Sequence, residues 1–141
     1  MQRDAGTAAA ISDSAFSAAG ALLTASAVAS WRSAAAVLKI SEPLVTEIDA
    51  LRPGAILVAL LDPYRNLPLV RRMAERRVTA FAMELVPRIS RAQSMDVLSS
   101  QANLAGYKAV VDAAAYFNQA LPMMMTAAGT VPAARVFIMG V

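Results

Sequence analysis

The 141-residue chain contains no cysteine and no histidine. Without cysteine no disulfide framework forms, which fits a reducing compartment. Together the two absences remove the commonest zinc ligands, and no metal site is read in the chain. They also exclude Ser-His and Cys-His nucleophilic chemistry within it. Charge is scarce as well: 16% of residues are charged and 57% are hydrophobic. That balance excludes disorder and predicts a well-buried, Ala-rich core, in a length that suits one domain.

Aromatic residues make up only 6% of the chain and do not interleave with the basic ones. This removes the usual stacking platform for nucleic acid, and none is expected as a partner. The net charge of +3 is spread out, except for Arg71, Arg72, Arg76 and Arg77, whose spacing reads as one solvated helix face. Long apolar runs are missing too. The best stretch, Ala113 to Thr130, is interrupted by Asn118, Gln119, Pro122 and Gly129, so it falls short of the about 18 residues that span a bilayer. The N-terminal stretch imitates a signal peptide, with Arg3 in front and Ala25 to Ser30 resembling a cleavage site. Asp4, Asp13 and several Ser and Gly residues break its apolar region and argue against that reading.

What is present alternates between strand and helix signals. Ser12-Asp13-Ser14 caps a short helix through Ala19, stopped by Gly20. Ala34 to Ile40 reads as a buried strand ending in Lys39, and Val45 to Leu51 as one or two helical turns before Arg52-Pro53-Gly54. Ala55 to Leu61 is the clearest strand, an apolar run suited to a parallel sheet covered on both faces. Asn66 is placed to cap a helix with Leu67, Leu69, Val70 and Met73 inward, and Val78 to Met83 is the next strand. Pro87 biases Val86 to an extended conformation. A long helix is predicted from Met95 to Phe117 with Leu98, Ala102, Ala105, Ala109, Ala113 and Phe117 on one face. Ala134 to Gly140 reads as a further strand, with Gly140 opening a tight strand-to-helix turn. This rhythm predicts an α/β fold, a Rossmann-like parallel sheet with flanking helices whose ligand loops follow the C-terminal strand ends.

The loop that leaves the strand near Leu85 carries Arg88, Gln93, Asp96 and Ser99. A neutral amide ring needs both an acceptor and a donor, and Gln93 offers both on one side chain. Arg88 supplies a planar fork of donors that stays charged. Asp96 either holds Arg88 by a charge-assisted pair or accepts from a ribose hydroxyl or the amide. Ser99, one turn on, shares the helix start with Asp96. Simpler readings also stand. Asp96 is a favoured first-turn acid, Ser94 an ordinary N-cap, Ser90 with Gln93 a capping box, and Arg91 a loop charge. Lys39 is either a solvated strand end or the meeting point for a ligand carboxylate or phosphate. Tyr107 reads as a packing aromatic with its hydroxyl at the surface, and Met123-Met124-Met125 as flexible core filler.

Val86 to Val110, with Met123 to Gly140, closely resembles the NAD(H)-binding alpha subunits of the proton-translocating NAD(P) transhydrogenases, in a wider family that includes alanine dehydrogenase. The resemblance covers the chain from about Gly6. It implies that Arg88, Gln93, Asp96 and Ser99 hold the nicotinamide of NAD(H), with Arg88, Gln93 and Asp96 orienting it for reaction and Arg91 as a further cofactor contact. It implies NADP(H) on a partner component, a membrane-embedded proton-pumping part, and a homodimer of the complete subunit. It places the protein in the cytoplasm, peripheral to the inner membrane. Alanine dehydrogenases resemble one another in a His shortly after the strand equivalent to Ala55–Leu61. Here that region reads Leu61-Asp62-Pro63-Tyr64-Arg65-Asn66, which argues for hydride transfer between nicotinamides rather than amino-acid oxidation. Lys39 matches a Lys shared by the family.

The chain departs from the family at both ends. Family members begin with a strand and helix before the position of Met1 and continue past Gly140 through a dinucleotide fold. The expectation is therefore a fragment: residues 1–121 as a partial α/β domain with its nicotinamide loop at 85–99, and residues 122–141 as an interdomain segment with the first strand of an NAD-binding domain. An alanine-dehydrogenase-like oxidoreductase and a non-catalytic truncated relic are the alternatives.

Overall fold

The computed structural model describes residues 1–139 and falls into two units, Met1–Asp96 and Val97–Val141. The first unit opens with helix α1 (Asp13–Ala18), where the Ser12 hydroxyl accepts from the Ala15 N–H at 3.2 Å. Gly20 adopts φ +90° just beyond it, as the stop signal requires. Helix α2 (Ala27–Ser33) starts from a Ser26 cap of the same kind, and it buries Trp31.

The sheet comprises β1 (Ala36–Leu38), β2 (Ile56–Ala59) and β3 (Thr79–Ala82), in that order and all parallel. Helices α3 (Val45–Ala50) and α4 (Leu67–Glu75) make the crossovers that parallel strands demand. The predicted mixed α/β architecture is therefore the observed one. The core gathers Trp31, Val37, Ile48, Leu57, Leu69 and Met73 beside Leu51, Ala55 and Leu61. Leu57 is fully buried, so truncating it to Ala removes about 2–5 kcal/mol of stability.

Several expectations need correction. The second face of β2 is less covered than its apolar run suggests, since Ile56 is 39% exposed. Leu67 points outward, and the Asn66 amide does not cap α4 but donates to Glu42 Oε2 at 3.0 Å. The arginine cluster is not simply solvated. Arg76 Nη2 donates to the carbonyls of Asp49 and Leu51 at 2.7 and 2.9 Å, satisfying the end of α3. Arg72 meets Asp49 at 2.6 Å and Glu75 at 3.0 Å. These hydrogen bonds, that of Glu75 first, raise the Arg72 guanidinium above its ordinary range. Arg77 lies past the helix with φ +55°.

In the second unit α5 (Val97–Tyr116) buries none of its residues. Its predicted inward face is open, with Leu98 40% and Phe117 39% exposed, and Tyr107 is exposed rather than packed. Strands β4 (Met124–Thr126) and β5 (Gly129–Val131) form an antiparallel hairpin that the sequence reading did not anticipate. Met125 stands exposed on it, and Met123 just before it, instead of filling a core. Residues 132–139 form no strand. Among the described residues Val136, Phe137 and Ile138 have no ladder partner to fix them, and a strand needs one. Gly140, read as the start of a tight turn, lies outside the described residues.

Candidate functional site

The parallel sheet brings three charged side chains to the C-terminal ends of its strands: Lys39 after β1, Asp62 after β2 and Glu84 after β3. Lys39 and Glu84 are both engaged by neighbouring elements. Lys39 Nζ meets Glu47 Oε2 at 2.6 Å and lies 5.7 Å from the centre of the Trp31 ring. The same Glu47 oxygen accepts the Leu44 N–H at 2.7 Å, closing the start of α3. The pair lines a cleft of about 800 Å³ with Trp31, Val58 and Met83. Lys39 is therefore not a solvated strand end, because its charge is matched inside the fold. The partner sits eight residues away across Pro43, a separation that no local pattern encodes.

Glu84 belongs to a single 3-10 turn, Met83–Leu85, that follows β3 directly. Its Oε1 accepts from the Leu61 N–H at 2.8 Å and the Asp62 N–H at 2.5 Å. Asp62 has φ +41°, a left-handed conformation uncommon outside glycine, and its carbonyl accepts from Arg65 and Asn66. The turn after β2 is thus held by a carboxylate from the next strand. Glu84 was absent from the residues singled out in the sequence. The available signal was one acid inside the apolar run from Phe81 to Val86.

Beyond that turn the chain enters the loop. Val86 is extended (φ −59°, ψ 124°), as Pro87 predicts. The Ile89 N–H donates to the Pro87 carbonyl at 2.9 Å, and Ser90–Met95 then form a 3-10 helix. The predicted helix start at Met95 is corrected here. Asp96 is non-helical (φ −76°, ψ 85°), its N–H donates to the Gln93 carbonyl at 3.3 Å, and α5 begins only at Val97. Asp96 is therefore not a first-turn acid. Ser90 heads the 3-10 helix without capping it, and Ser94 lies within it.

The fold brings Arg88 and Asp96 together across the loop, with Arg88 Nε 3.9 Å from Asp96 Oδ2. The separation suits an ion pair and is too long for a hydrogen bond. Asp96 is largely covered and Arg88 largely exposed, at 13% and 71%. Ala92 is the loop's buried residue, and Gln93 and Arg91 on either side of it are exposed. The loop thus turns a neutral carboxamide and two guanidinium groups outward while one carboxylate stays underneath. Ser99 is exposed in the first turn of α5 and belongs to the second unit. Among the described residues no acidic cluster is placed to hold a metal ion, and no helix is long and apolar enough to cross a membrane.

Residues 1–105 match the family described as alanine dehydrogenase/PNT, N-terminal domain. The chain is 49% identical over 146 residues to the first part of the NAD(P) transhydrogenase subunit alpha of Rhodospirillum rubrum, covering 100% of this chain and 38% of the relative. It matches the crystal structure of a transhydrogenase from Sinorhizobium meliloti at 53% identity and a TM-score of 0.86, over 94% of this chain and 40% of that one. Alanine dehydrogenase of Methanococcus maripaludis is more distant, at 28% identity over 84% of this chain and 31% of the relative. The chain spans about two fifths of the length of these transhydrogenase relatives. By its N-terminal domain the chain belongs to the alanine dehydrogenase/PNT family.

Proposed function

We propose that this chain carries the nicotinamide-holding part of an NAD(H)-binding transhydrogenase subunit. The observation that carries the reading is the loop after β3. It presents Gln93 and Arg88 outward above the covered Asp96, in a chain 49% identical to a transhydrogenase alpha subunit. The donor set fits the cofactor. The Gln93 amide can give and accept one hydrogen bond each with a carboxamide, and the Arg88 fork can donate to its oxygen. Asp96 orients Arg88, and Arg91 and Ser99 are assigned as further cofactor contacts. When bound, the nicotinamide supplies the hydride. The chain's residues fix the ring, and no side chain has to move a proton, which suits a chain without His.

The division at residues 121 and 122 belongs to this proposal, with the C-terminal stretch leading into a dinucleotide domain. So do the NADP(H)-binding and membrane-embedded partners, the homodimer, and a place on the cytoplasmic face of the inner membrane.

The test uses a hybrid subunit in which this chain replaces the matching segment of the Rhodospirillum rubrum protein. Combined with that organism's NADP(H)-binding component, it should transfer hydride from NADH to an NADP-type acceptor. The alternative, an alanine-dehydrogenase-like oxidoreductase, draws little support from Lys39, because Glu47 already occupies the charge a keto-acid carboxylate would need. Robust pyruvate formation from alanine and NAD by the hybrid, without transfer to the NADP-type acceptor, would favour that alternative.

A further inference from the structure

We infer that Glu84 is the positioning residue that fixes where the nicotinamide loop leaves the sheet; this rests on the nicotinamide reading above. One carboxylate oxygen of Glu84 is bonded to two successive backbone N–H groups at the end of β2. Bonds from backbone donors to a charged acceptor are the stronger kind. The other oxygen, Oε2, is buried and has no hydrogen-bond partner among the described residues. The two anchored groups lie 22 and 23 residues away, so the contact ties together two strand ends, not neighbours in the chain.

The tie is mechanically stiff toward the loop. Glu84 sits within a 3-10 turn closed by the Val86 N–H on the Met83 carbonyl at 3.3 Å. Val86 is extended, and Pro87 then fixes its own φ. Arg88 follows immediately. A displacement at Glu84 is therefore passed to Arg88 with few soft torsions to absorb it. The far end of the tie is also constrained, because the Asp62 carbonyl caps two N–H groups while Asp62 holds φ +41°. Releasing the N–H groups lets that turn relax toward commoner conformations. Glu84 thus acts through Arg88 and Gln93 rather than on the cofactor.

The first requirement is an acceptor of the right reach; charge strengthens the bonds but does not replace reach. Gln keeps the accepting oxygen and the length, and it loses no bond at Oε2. Asp keeps the charge and falls one methylene short. The series Glu84→Ala, Glu84→Gln and Glu84→Asp in the hybrid subunit tests this. Two readouts are used: single-turnover transfer beside the NADH dissociation constant, and tryptic cleavage after Arg88 and Arg91 without nucleotide. Glu84→Ala should slow transfer at least tenfold with NADH affinity within threefold, and should speed cleavage at both sites. Glu84→Gln should restore both to within threefold of the parent, and Glu84→Asp should fall between the two. If the Ala variant does not fold, the Gln and Asp variants decide the matter. An Asp variant at the parent rate beside a slow Gln variant overturns the inference. Unchanged cleavage and transfer in Glu84→Ala also overturn it. Faster cleavage with unchanged transfer overturns the nicotinamide reading itself.

Discussion

Lys39 Nζ and Glu47 Oε2 stand 2.6 Å apart at the end of β1, with side chains only 25% and 12% exposed. The pair joins the end of that strand to α3 and also closes the start of the helix, because Glu47 accepts the Leu44 N–H. Removing Glu47 therefore strands two groups, whereas removing Lys39 strands one.

This asymmetry gives the first prediction. Glu47→Ala should cost about 1.5–3 kcal/mol, the range for hydrogen bonds involving a charged group left unmade. Lys39→Met should cost clearly less, since Met fills the stem volume and Glu47 keeps its backbone bond. Urea titration of the hybrid subunit carrying each substitution measures both. Equal costs would mean that the Leu44 bond contributes nothing.

The second prediction concerns the surface of the second unit. Leu104, Tyr107, Val110, Val111 and Tyr116 on α5 are exposed, as are Val136, Phe137 and Ile138. Apolar exposure on this scale favours association. The 141-residue chain should therefore self-associate at micromolar concentration and bind a hydrophobic dye, as seen by sedimentation velocity and dye fluorescence. A monomeric chain with one cooperative thermal transition would show this to be wrong.

The third prediction separates holding the nicotinamide from binding the dinucleotide. Most dinucleotide affinity comes from a Gly-rich turn and helix N-terminus around the pyrophosphate. The six glycines of these 141 residues never form the Gly-x-Gly-x-x-Gly spacing. The chain by itself should bind NADH far more weakly than the hybrid subunit does. A micromolar dissociation constant by titration calorimetry for the 141-residue chain would contradict this.

How much was legible in the sequence depended on the range of the forces involved. The strand around Leu57, the Ser12 cap and the extended Val86 were readable, because an apolar run, a hydroxyl and a proline act on their immediate neighbours. The pairing of Arg88 with Asp96 was offered from their spacing, and the fold places them within 3.9 Å. The break at Asp96 was not readable, since helix propensity runs straight through it and a 3-10 hydrogen-bond pattern decides otherwise. Glu84 was missed because its partners are distant in the chain, and the link from Glu47 to Lys39 spans eight residues, although its bond to Leu44 is local. The strand expected near Phe137 failed for a related reason, as a strand is made by its neighbour and not by its own composition.

The loop is proposed to orient the nicotinamide, and one measurement addresses this most directly. Arg88→Ala and Gln93→Asn are made in the hybrid subunit, and single-turnover hydride transfer is measured beside the NADH dissociation constant. Contacts elsewhere in the subunit hold the dinucleotide, so affinity should change by no more than about threefold, or ~0.6 kcal/mol. Transfer should slow on the order of a hundredfold, the cost of misplacing the ring by about 1 Å. Asp96→Asn should slow it less than Arg88→Ala, because an amide still reaches the guanidinium while an alanine at 88 has nothing to offer the cofactor. Transfer rates that stay within about threefold in both Arg88→Ala and Gln93→Asn would contradict the account and leave the loop as scaffold.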